Sequence, residues 1–279
     1  MLPLIDADIL VYEAAFGGED RETGEVYGFD YVSALIDRKI EEICHAVGAT
    51  EPPLLFLTGK GNFREGISTV KPYKGNRKQP KPYHYLNVRA YLESLGAITV
   101  EGMEADDALA IAQTEDWNST WKVANGLEPE PKDRSCFKTV IVTRDKDLRQ
   151  VAGWHYGWEH GAQPEFPLQF VDELGDIELI DKTPKEIKGT GLKFFYSQLI
   201  TGDTVDNIPG LPRKGAVYAY KILKECDDEG SMFKAVREAY RQVYDDEGDE
   251  RLLEQGRLLW MVRELDAEGE PKMWEFPDG

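Results

Sequence analysis

The stretch Lys138-Thr-Val-Ile-Val-Thr143 predicts a buried β-strand, because it is rich in β-branched residues and its centre carries no charge. Shorter apolar runs along the chain predict further strands, and segments with helical periodicity lie between them. These strands are predicted at Leu2–Asp6, Pro53–Thr58 and Ala97–Val100, and these helices at Tyr31–Val47, about 83–95 and after Gly102. Strands that alternate with helices predict an α/β fold, with a central, mostly parallel sheet flanked by helices.

After about residue 185 the pattern becomes helical. Four segments show helical periodicity: Phe194–Thr201, Ala216–Cys226, Ser231–Tyr244 and Glu250–Leu265. The aromatic stretch Trp154–Trp158 predicts a hairpin that contributes to the core. We therefore predict an α/β domain over residues 1–188 and a helical C-terminal lobe over residues 189–279.

The composition is that of a globular protein, with 279 residues, 41% hydrophobic and 30% charged. No run of 18 apolar residues occurs, which excludes a transmembrane helix, and the first residues lack the basic start of a signal peptide. Three widely spaced cysteines indicate free thiols rather than disulfides or a zinc site. We expect a cytoplasmic protein, in the host cytoplasm if a phage encodes it, with no membrane partner.

Charge is distributed unevenly along the chain. The net charge is −19, yet the segment from Lys60 to Arg89, here called the basic segment, has eight basic residues and one acid. Such a segment can bind a polyanion locally although the whole chain is acidic. Tyr73, Tyr83 and Tyr85 lie among these cations, and the combination favours stacking with nucleic-acid bases.

Acidic residues recur where predicted strands end and helices begin. They form four clusters: Asp6 with Asp8; Glu104 with Asp106 and Asp107; Asp145 with Asp147; and Asp203 with Asp206. Crowded carboxylates stay ionised only when cations neutralise them. Oxygen ligands without His or Cys nearby select Mg²⁺ or Mn²⁺ over Zn²⁺. The set therefore predicts a divalent-metal site.

A simpler interpretation exists for each acid taken singly. Acids near helix N-termini interact favourably with the helix dipole, and acids at strand ends are commonly just solvated. The recurrence of four clusters, each at a junction between predicted elements, favours metal binding by the set.

Five motifs resemble the flap-endonuclease and 5′-nuclease superfamily, and most closely the 5′-to-3′ exonucleases of bacteriophages. They come in that family's order and span about 200 residues: Leu-Ile-Asp-Ala-Asp (4–8), Tyr-Lys-Gly-Asn-Arg (73–77), Met-Glu-Ala-Asp-Asp (103–107), Val-Thr-Arg-Asp-Lys-Asp (142–147) and Thr-Gly-Asp-Thr-Val-Asp-Asn-Ile-Pro-Gly (201–210). The resemblance implies the PIN-like 5′-nuclease fold. It also implies a helix–three-turn–helix element from Leu192 to about Cys226 that binds duplex DNA.

The resemblance also implies roles for individual residues. Lys74 and Arg77 match basic residues that contact the scissile phosphate, and Tyr73 matches a residue that packs beside an unpaired or terminal base. The implied ligands of divalent metal, direct or through water, are Asp6, Glu104, Asp106, Asp107, Asp145, Asp147, Asp203 and Asp206. Further nucleic-acid contacts are predicted for Lys78, Lys81, Arg213 and Lys214.

Two positions depart from that family's pattern. Thr58-Gly59 stands where family members often carry another aspartate at the end of the second strand. Arg213 stands at the first glycine of a Gly-x-Gly hairpin that, in the family, holds a monovalent cation and a phosphate. We predict that the Arg213 guanidinium replaces that cation as the phosphate contact, because its planar set of donors suits phosphate.

We predict a 5′-to-3′ exonuclease or flap endonuclease, monomeric, that hydrolyses DNA at 5′ ends, flaps or nicks, with RNA in hybrids as a further substrate. Two Mg²⁺ (or Mn²⁺) ions are expected to activate water and stabilise the leaving oxygen. One alternative is a PIN-like ribonuclease, which would ordinarily lack the element at residues 190–230. Another is a structure-specific binding protein with a degenerate site, against which the near-complete set of acids argues.

Overall fold

The computed structural model describes residues 1–20, 22–77, 80–125 and 137–277. Their contacts divide the chain into two compact units. The first comprises residues 1–61, 78–146 and 153–170, and the second comprises residues 62–77, 147–152 and 171–279. Each unit consists of three segments that are separate in the sequence. The assignment of a nuclease domain to residues 1–188 and of a duplex-binding lobe to residues 189–279 stays a prediction.

A six-stranded sheet forms the centre of the first unit. Its strands are β1 (Leu2–Asp6), β2 (Leu54–Thr58), β3 (Ile98–Val100), β4 (Thr139–Val142), β5 (Gly153–Gly157) and β6 (Phe166–Val171), in the spatial order β3-β2-β1-β4-β5-β6. β1 pairs in parallel with both β2 and β4, and the pairs β2–β3 and β4–β5 are parallel too. The mostly parallel sheet predicted from the sequence is confirmed.

Helices pack around this sheet because their apolar residues recur on one face. They are α1 (Ala7–Gly17), α2 (Phe29–Ala46), α4 (Tyr85–Ser94) and α5 (Ala105–Asn125). Val32, Ile36 and Ile43 of α2 are buried at helical spacing, together with Val88 and Leu92 of α4. This core fixes the C-terminal ends of the parallel strands, where ligands bind in sheets of this kind.

The second unit is mainly helical. It contains the short α3 (Phe63–Ile67), then α6 (Gly191–Thr201), α7 (Ala216–Leu223), α8 (Glu229–Tyr244) and α9 (Gly248–Leu259), and a two-stranded antiparallel hairpin of β7 (Ile177–Ile180) and β8 (Glu186–Gly189). Residues 191–200 of α6 are all buried, so α6 is the central helix of this unit. The predicted helical C-terminal region is confirmed, whereas the hairpin was not predicted.

The end of the last helix differs from the sequence-based prediction. The last helix ends at Leu259 rather than Leu265, because Arg64 donates to the carbonyl oxygens of Leu258 (3.0 Å) and Trp260 (2.6 Å) and Trp260 is already extended. The stretch at 154–158, predicted to belong to a hairpin, forms β5, which is parallel to β4 and lies next to β6 in the sheet, and an antiparallel bridge between His160 and Gln163 lies in the connection from β5 to β6. Within the described ranges, none of the helices has the length and apolarity needed to cross a membrane.

Candidate active site

Asp6 is the last residue of β1 and is buried. Its carboxylate caps α1 by accepting from the backbone N–H of Asp8 (3.1 Å), and it accepts from the Thr143 hydroxyl (2.9 Å). Burial and the charges of Asp8 and Asp145 raise the pKa of Asp6 to about 7, although the Thr143 hydrogen bond acts the other way. Three acids from β1, α1 and the loop after β4 therefore repel one another around a buried carboxyl group.

The Thr143 hydroxyl connects two of the predicted clusters. While it donates to Asp6, it accepts from the backbone N–H of Asp145 (2.9 Å). The hydroxyl thus holds the turn after β4 against the end of β1. Since Thr143 immediately follows β4, it occupies the strand-end position at which ligands approach a parallel sheet.

Thr58, at the position where the family often has an aspartate, uses its backbone and side chain to join three helices. Its N–H donates to Asp8 (2.9 Å), its carbonyl accepts from Arg89 (2.8 Å), and its hydroxyl accepts from the N–H of Ala105 (2.9 Å). Arg89 also pairs with Asp8 at 3.2 Å. The threonine therefore fixes the starts of α1 and α5 relative to the end of β2 without adding a negative charge.

The acidic cluster of Glu104, Asp106 and Asp107 lies at the start of α5, as predicted. Asp107 is fully buried, and its carboxylate accepts from the backbone N–H of Glu104 (3.2 Å), which caps the helix. Glu104 and Asp106 are half-buried in the same first turn. Asp107 thus has a structural function at the helix terminus, and the metal-ligating function of these three residues stays a prediction.

In the second unit, Asp203 organises the loop that follows α6. Its carboxylate accepts from the N–H groups of Val205 (2.7 Å) and Asp206 (3.2 Å), and its backbone pairs with Ile208. Gly202 and Gly210 adopt φ values of 70° and 61°, and a Cβ on either would collide with the backbone of the other's segment. This close approach explains why the Thr-Gly-Asp…Pro-Gly motif needs glycine at both ends.

Asp206 binds the predicted phosphate-contacting residues. Its carboxylate accepts from Arg77 (2.9 Å) and from the Tyr73 hydroxyl (3.1 Å), and the Lys74 ammonium lies 3.8 Å away. The backbone N–H of Lys74 also donates to the carbonyl oxygen of Asp206 (3.0 Å). The two cations that the sequence assigned to the scissile phosphate therefore lie side by side, and they neutralise a carboxylate that the sequence assigned to metal.

Asp147 is held by a pair of buried glutamines. The Gln198 side-chain amide donates to Asp147 (2.6 Å), and its oxygen accepts from Gln150 (2.8 Å), which also donates to the carbonyl oxygen of Leu259 (2.9 Å). These contacts fix the orientation of the Asp147 carboxylate. The sequence signal for them is Gln198, a polar side chain within the largely apolar helix α6.

The predicted nucleic-acid contacts fall in different surroundings. Lys81 is exposed, with its ammonium 4.0 Å from the centre of the Tyr85 ring. Lys214 lies equally close to the Tyr218 ring, and the exposed Arg213 has a φ of 62°. Tyr73 is only 9% exposed within the core of the second unit. Lys78 lies outside the described residues.

The acids of the first unit fit a divalent cation by their chemistry. Within the described part of the chain, no three His, Cys, Asp or Glu side chains are gathered tightly enough to form a ready-made metal site. The repulsion that Asp8 and Asp145 exert on Asp6 is nevertheless the effect that a bound cation would remove. The donors are carboxylate oxygens, which suit Mg²⁺ or Mn²⁺. Sequence reasoning found these acids and missed the functions of Thr143, Arg89, Gln150 and Gln198.

Comparison with known proteins gives relatives across most of the chain. No family model matches. The chain is 26% identical over 254 residues to DNA polymerase I of Bacillus subtilis (strain 168), covering 85% of this chain and 24% of that protein. It is 23% identical over 252 residues to a 5′-3′ exonuclease of Buchnera aphidicola subsp. Schizaphis graminum, covering 84% and 73%. The chain thus spans about a quarter of the length of the polymerase and most of the exonuclease.

Among solved structures, the T5 D15 protein co-crystallised with metal ions is similar in fold. The TM-score is 0.52 at 15% identity, and the similarity covers 91% of this chain and 86% of that one. These comparisons confirm the resemblance to 5′-nucleases and the fold predicted from the five motifs.

Proposed function

We propose that this protein is a divalent-metal-dependent 5′ nuclease that hydrolyses phosphodiester bonds of DNA at 5′ ends, flaps or nicks. The observation that carries the proposal is the buried Asp6 carboxyl group at the end of β1, whose pKa is raised to about 7 by burial together with the charges of Asp8 and Asp145. Such mutual repulsion destabilises a protein unless a cation compensates it. The similarity to the Buchnera 5′-3′ exonuclease supports the proposed hydrolysis of phosphodiester bonds. The T5 D15 protein, which is similar in fold, was co-crystallised with metal ions, and this supports a divalent-metal cofactor.

The residues of the chain would contribute in two ways. Asp6, Asp8 and Asp145 would hold divalent metal, and we propose two ions, which supply charge that activates water and stabilises the departing 3′ oxygen. Lys74 and Arg77 would place positive charge at the scissile phosphate. Asp206 keeps both cations in place before substrate binds, which reduces the reorganisation needed during the reaction.

The helices α6 and α7 with the loop between them would bind the duplex beside the cut. Arg213 and Lys214 lie in that loop, just before the N-terminus of α7. Backbone N–H groups at a helix N-terminus together with two cations form a suitable environment for a phosphate. We propose further that the protein acts in the cytoplasm and as a monomer, and that RNA strands of hybrids are also cut.

The test is cleavage of a 5′-labelled flap, a nicked duplex and an RNA–DNA hybrid by the wild type and Asp145→Asn. We expect Mg²⁺-dependent cleavage by the wild type and a loss of at least about 100-fold in the variant, with DNA affinity nearly unchanged, because the carboxylate acts on metal rather than on phosphate. Asp145→Asn is preferred to Asp206→Asn because Asp206 also holds Tyr73, Lys74 and Arg77.

The matched control is Asp181→Asn, which removes an exposed carboxylate from the turn between β7 and β8, where Asp181 pairs only with a neighbouring lysine four residues along. This variant should cleave like the wild type. Metal-independent cleavage, or wild-type turnover by Asp145→Asn, would contradict the proposal.

A further inference from the structure

Two buried glutamines in the second unit connect Asp147 to the end of α9 by a continuous line of hydrogen bonds. Gln198 donates to Asp147 (2.6 Å) and accepts from Gln150 (2.8 Å), and Gln150 also donates to the carbonyl oxygen of Leu259 (2.9 Å). Gln150 is 0% exposed and Gln198 is 3% exposed. A buried amide costs free energy unless it is hydrogen-bonded, whereas an apolar side chain would fill the same space without that cost. The two glutamines, here called the glutamine pair, therefore point to a function beyond packing.

The two ends of this line determine which way each amide is turned. A carbonyl oxygen can only accept, so the Gln150 nitrogen must face Leu259, and the same nitrogen lies beside the Gln198 oxygen. The Gln198 nitrogen is thereby turned towards Asp147. The opposite orientation would place the Gln198 oxygen against an ionised carboxylate, where both groups only accept. The glutamine pair is thus arranged to donate to Asp147.

The end of the line opposite Asp147 is firmly held. Leu259 is the last residue of α9. The Arg263 guanidinium donates to the backbone carbonyl oxygen of Gln150 (2.9 Å) and lies 4.1 Å from the centre of the Trp260 ring. Gln150 is therefore fixed through both its side chain and its backbone.

The contact between Gln198 and Asp147 differs in charge from the contacts of Asp206. Asp206 lies beside two cations, Arg77 at 2.9 Å and Lys74 at 3.8 Å. An amide has no net charge, so Gln198 orients the Asp147 carboxylate without neutralising it, and this contact leaves the attraction for a metal cation intact. Loss of an outer partner that orients a metal ligand commonly lowers metal affinity by about 10- to 100-fold.

We propose that Gln198 is a positioning residue of the nuclease reaction, which holds the Asp147 carboxylate in the orientation that binds divalent metal, and that Gln150 holds Gln198 in turn. This inference rests on the proposed function and deepens it, because Asp147 is among the metal ligands that the resemblance to 5′-nucleases implies. A glutamine pair that only filled the core would affect the free energy of unfolding and leave metal affinity unchanged.

The test measures Mn²⁺ binding to the DNA-free protein by electron paramagnetic resonance. The variants are Gln198→Met and Gln150→Met, because methionine is unbranched like glutamine and fills the space without donating a hydrogen bond. Gln113→Met is the matched control: Gln113 is 0% exposed, and its side-chain oxygen accepts from the N–H of Ile141 (3.2 Å) in β4. Urea unfolding in EDTA shows whether each variant folds.

We expect Gln198→Met to weaken Mn²⁺ binding about tenfold and Gln150→Met about threefold, with wild-type affinity for Gln113→Met. In cleavage of a nicked duplex, Gln198→Met should raise the half-saturating Mg²⁺ concentration about tenfold and keep most of the rate at saturating Mg²⁺. Wild-type Mn²⁺ affinity in Gln198→Met overturns the inference. If Gln198→Met does not fold, wild-type Mn²⁺ affinity in Gln150→Met overturns it in the same way.

A double-mutant cycle with Asp147→Asn shows whether Gln198 acts through Asp147. Once the carboxylate is removed, Gln198→Met should weaken Mn²⁺ binding by less than about twofold further. An undiminished effect of Gln198→Met in the Asp147→Asn background would contradict the inference. Failure of the proposed function is distinguished by the wild type, which would then bind no Mn²⁺ or cleave the nicked duplex without metal.

Discussion

Interactions around Asp6 act in opposite directions on the protonation of its carboxyl group. Its N-cap contact and the Thr143 hydrogen bond favour the charged carboxylate, whereas burial and the charges of Asp8 and Asp145 favour the neutral acid. Burial and the two neighbouring charges outweigh the hydrogen bonds and raise the pKa of Asp6 to about 7. A residue that only capped α1 would have no reason to lie beside two further acids, and this surplus of negative charge supports the proposed binding of a metal ion by Asp6.

The titration of Asp6 makes the stability of the metal-free protein depend on pH. The pKa of Asp6 rises from 3.8 to about 7 on folding, so the folded state keeps a proton that the unfolded chain releases. The stabilising contribution is complete below about pH 4 and is lost as the pH rises through about 7. In EDTA, Asp6→Asn should match the wild type near pH 4 and exceed its free energy of unfolding at pH 8 by on the order of 4 kcal/mol.

Urea unfolding across this pH range in EDTA measures the difference, and asparagine keeps an oxygen that can cap α1. Added Mg²⁺ should raise the melting temperature of the wild type more than that of Asp6→Asn, because the variant lacks one ligand. A stability difference that is the same at pH 5 and pH 8 would show that Asp6 does not titrate as described.

Residues whose function follows from a local sequence pattern were predictable. Residues whose function depends on a partner far away in the sequence were not. The acids at strand ends follow from strand pattern and spacing. The pairing of Asp206 with Arg77, and that of Gln198 with Asp147, joins residues 129 and 51 positions apart. No local pattern specifies such contacts, and only the folded chain brings the partners together.

At the scale of secondary structure, elements with strong periodicity were predicted closely, and elements that depend on tertiary contacts were not. β1 has the bounds expected from its sequence, and β2 differs by one residue. β5 is a short segment between two glycines, so sequence alone does not show that it joins the sheet. The end of α9 depends on the Arg64 side chain, which reaches it from nearly 200 residues away.

The connection between α6 and α7 leads to a prediction about duplex binding. Arg213 has a φ of 62°, the left-handed conformation that glycine adopts without strain. Arg213→Ala should weaken duplex binding and spare single strands, because it removes a guanidinium suited to phosphate. Arg213→Gly should weaken binding equally and leave the free energy of unfolding unchanged or raised by about 1 kcal/mol.

Anisotropy titrations with duplex and single-stranded DNA measure the change in affinity, and urea unfolding measures the change in the free energy of unfolding. Cleavage should also be indifferent to the exchange of K⁺ for Na⁺ at constant ionic strength, since the guanidinium takes the place of a bound ion. A marked K⁺ requirement, or an Arg213→Ala variant with wild-type duplex affinity, would show that Arg213 is a solvated turn residue.

At the scale of the whole molecule, part of the positive charge in the basic segment is already used within the protein. Arg64 is buried and donates to backbone carbonyl oxygens, and Arg89 pairs with Asp8. Lys74 and Arg77 both lie beside Asp206. With a net charge of −19, the protein should therefore bind DNA through few phosphate contacts, fewer than the count of basic residues in the sequence suggests.

Salt dependence distinguishes the lysines that bind phosphate in the ground state from those that act in the reaction. Lys81 is exposed beside the Tyr85 ring, so Lys81→Ala should lower affinity and reduce the slope of log K against log salt by about 1. Lys74 is only 21% exposed and is partly neutralised by Asp206, so Lys74→Ala should change the slope less. Its effect should fall on the cleavage rate, by on the order of 3 kcal/mol in the transition state. Equal changes of slope and of rate in both variants would mean that the basic segment acts as one undifferentiated patch of charge.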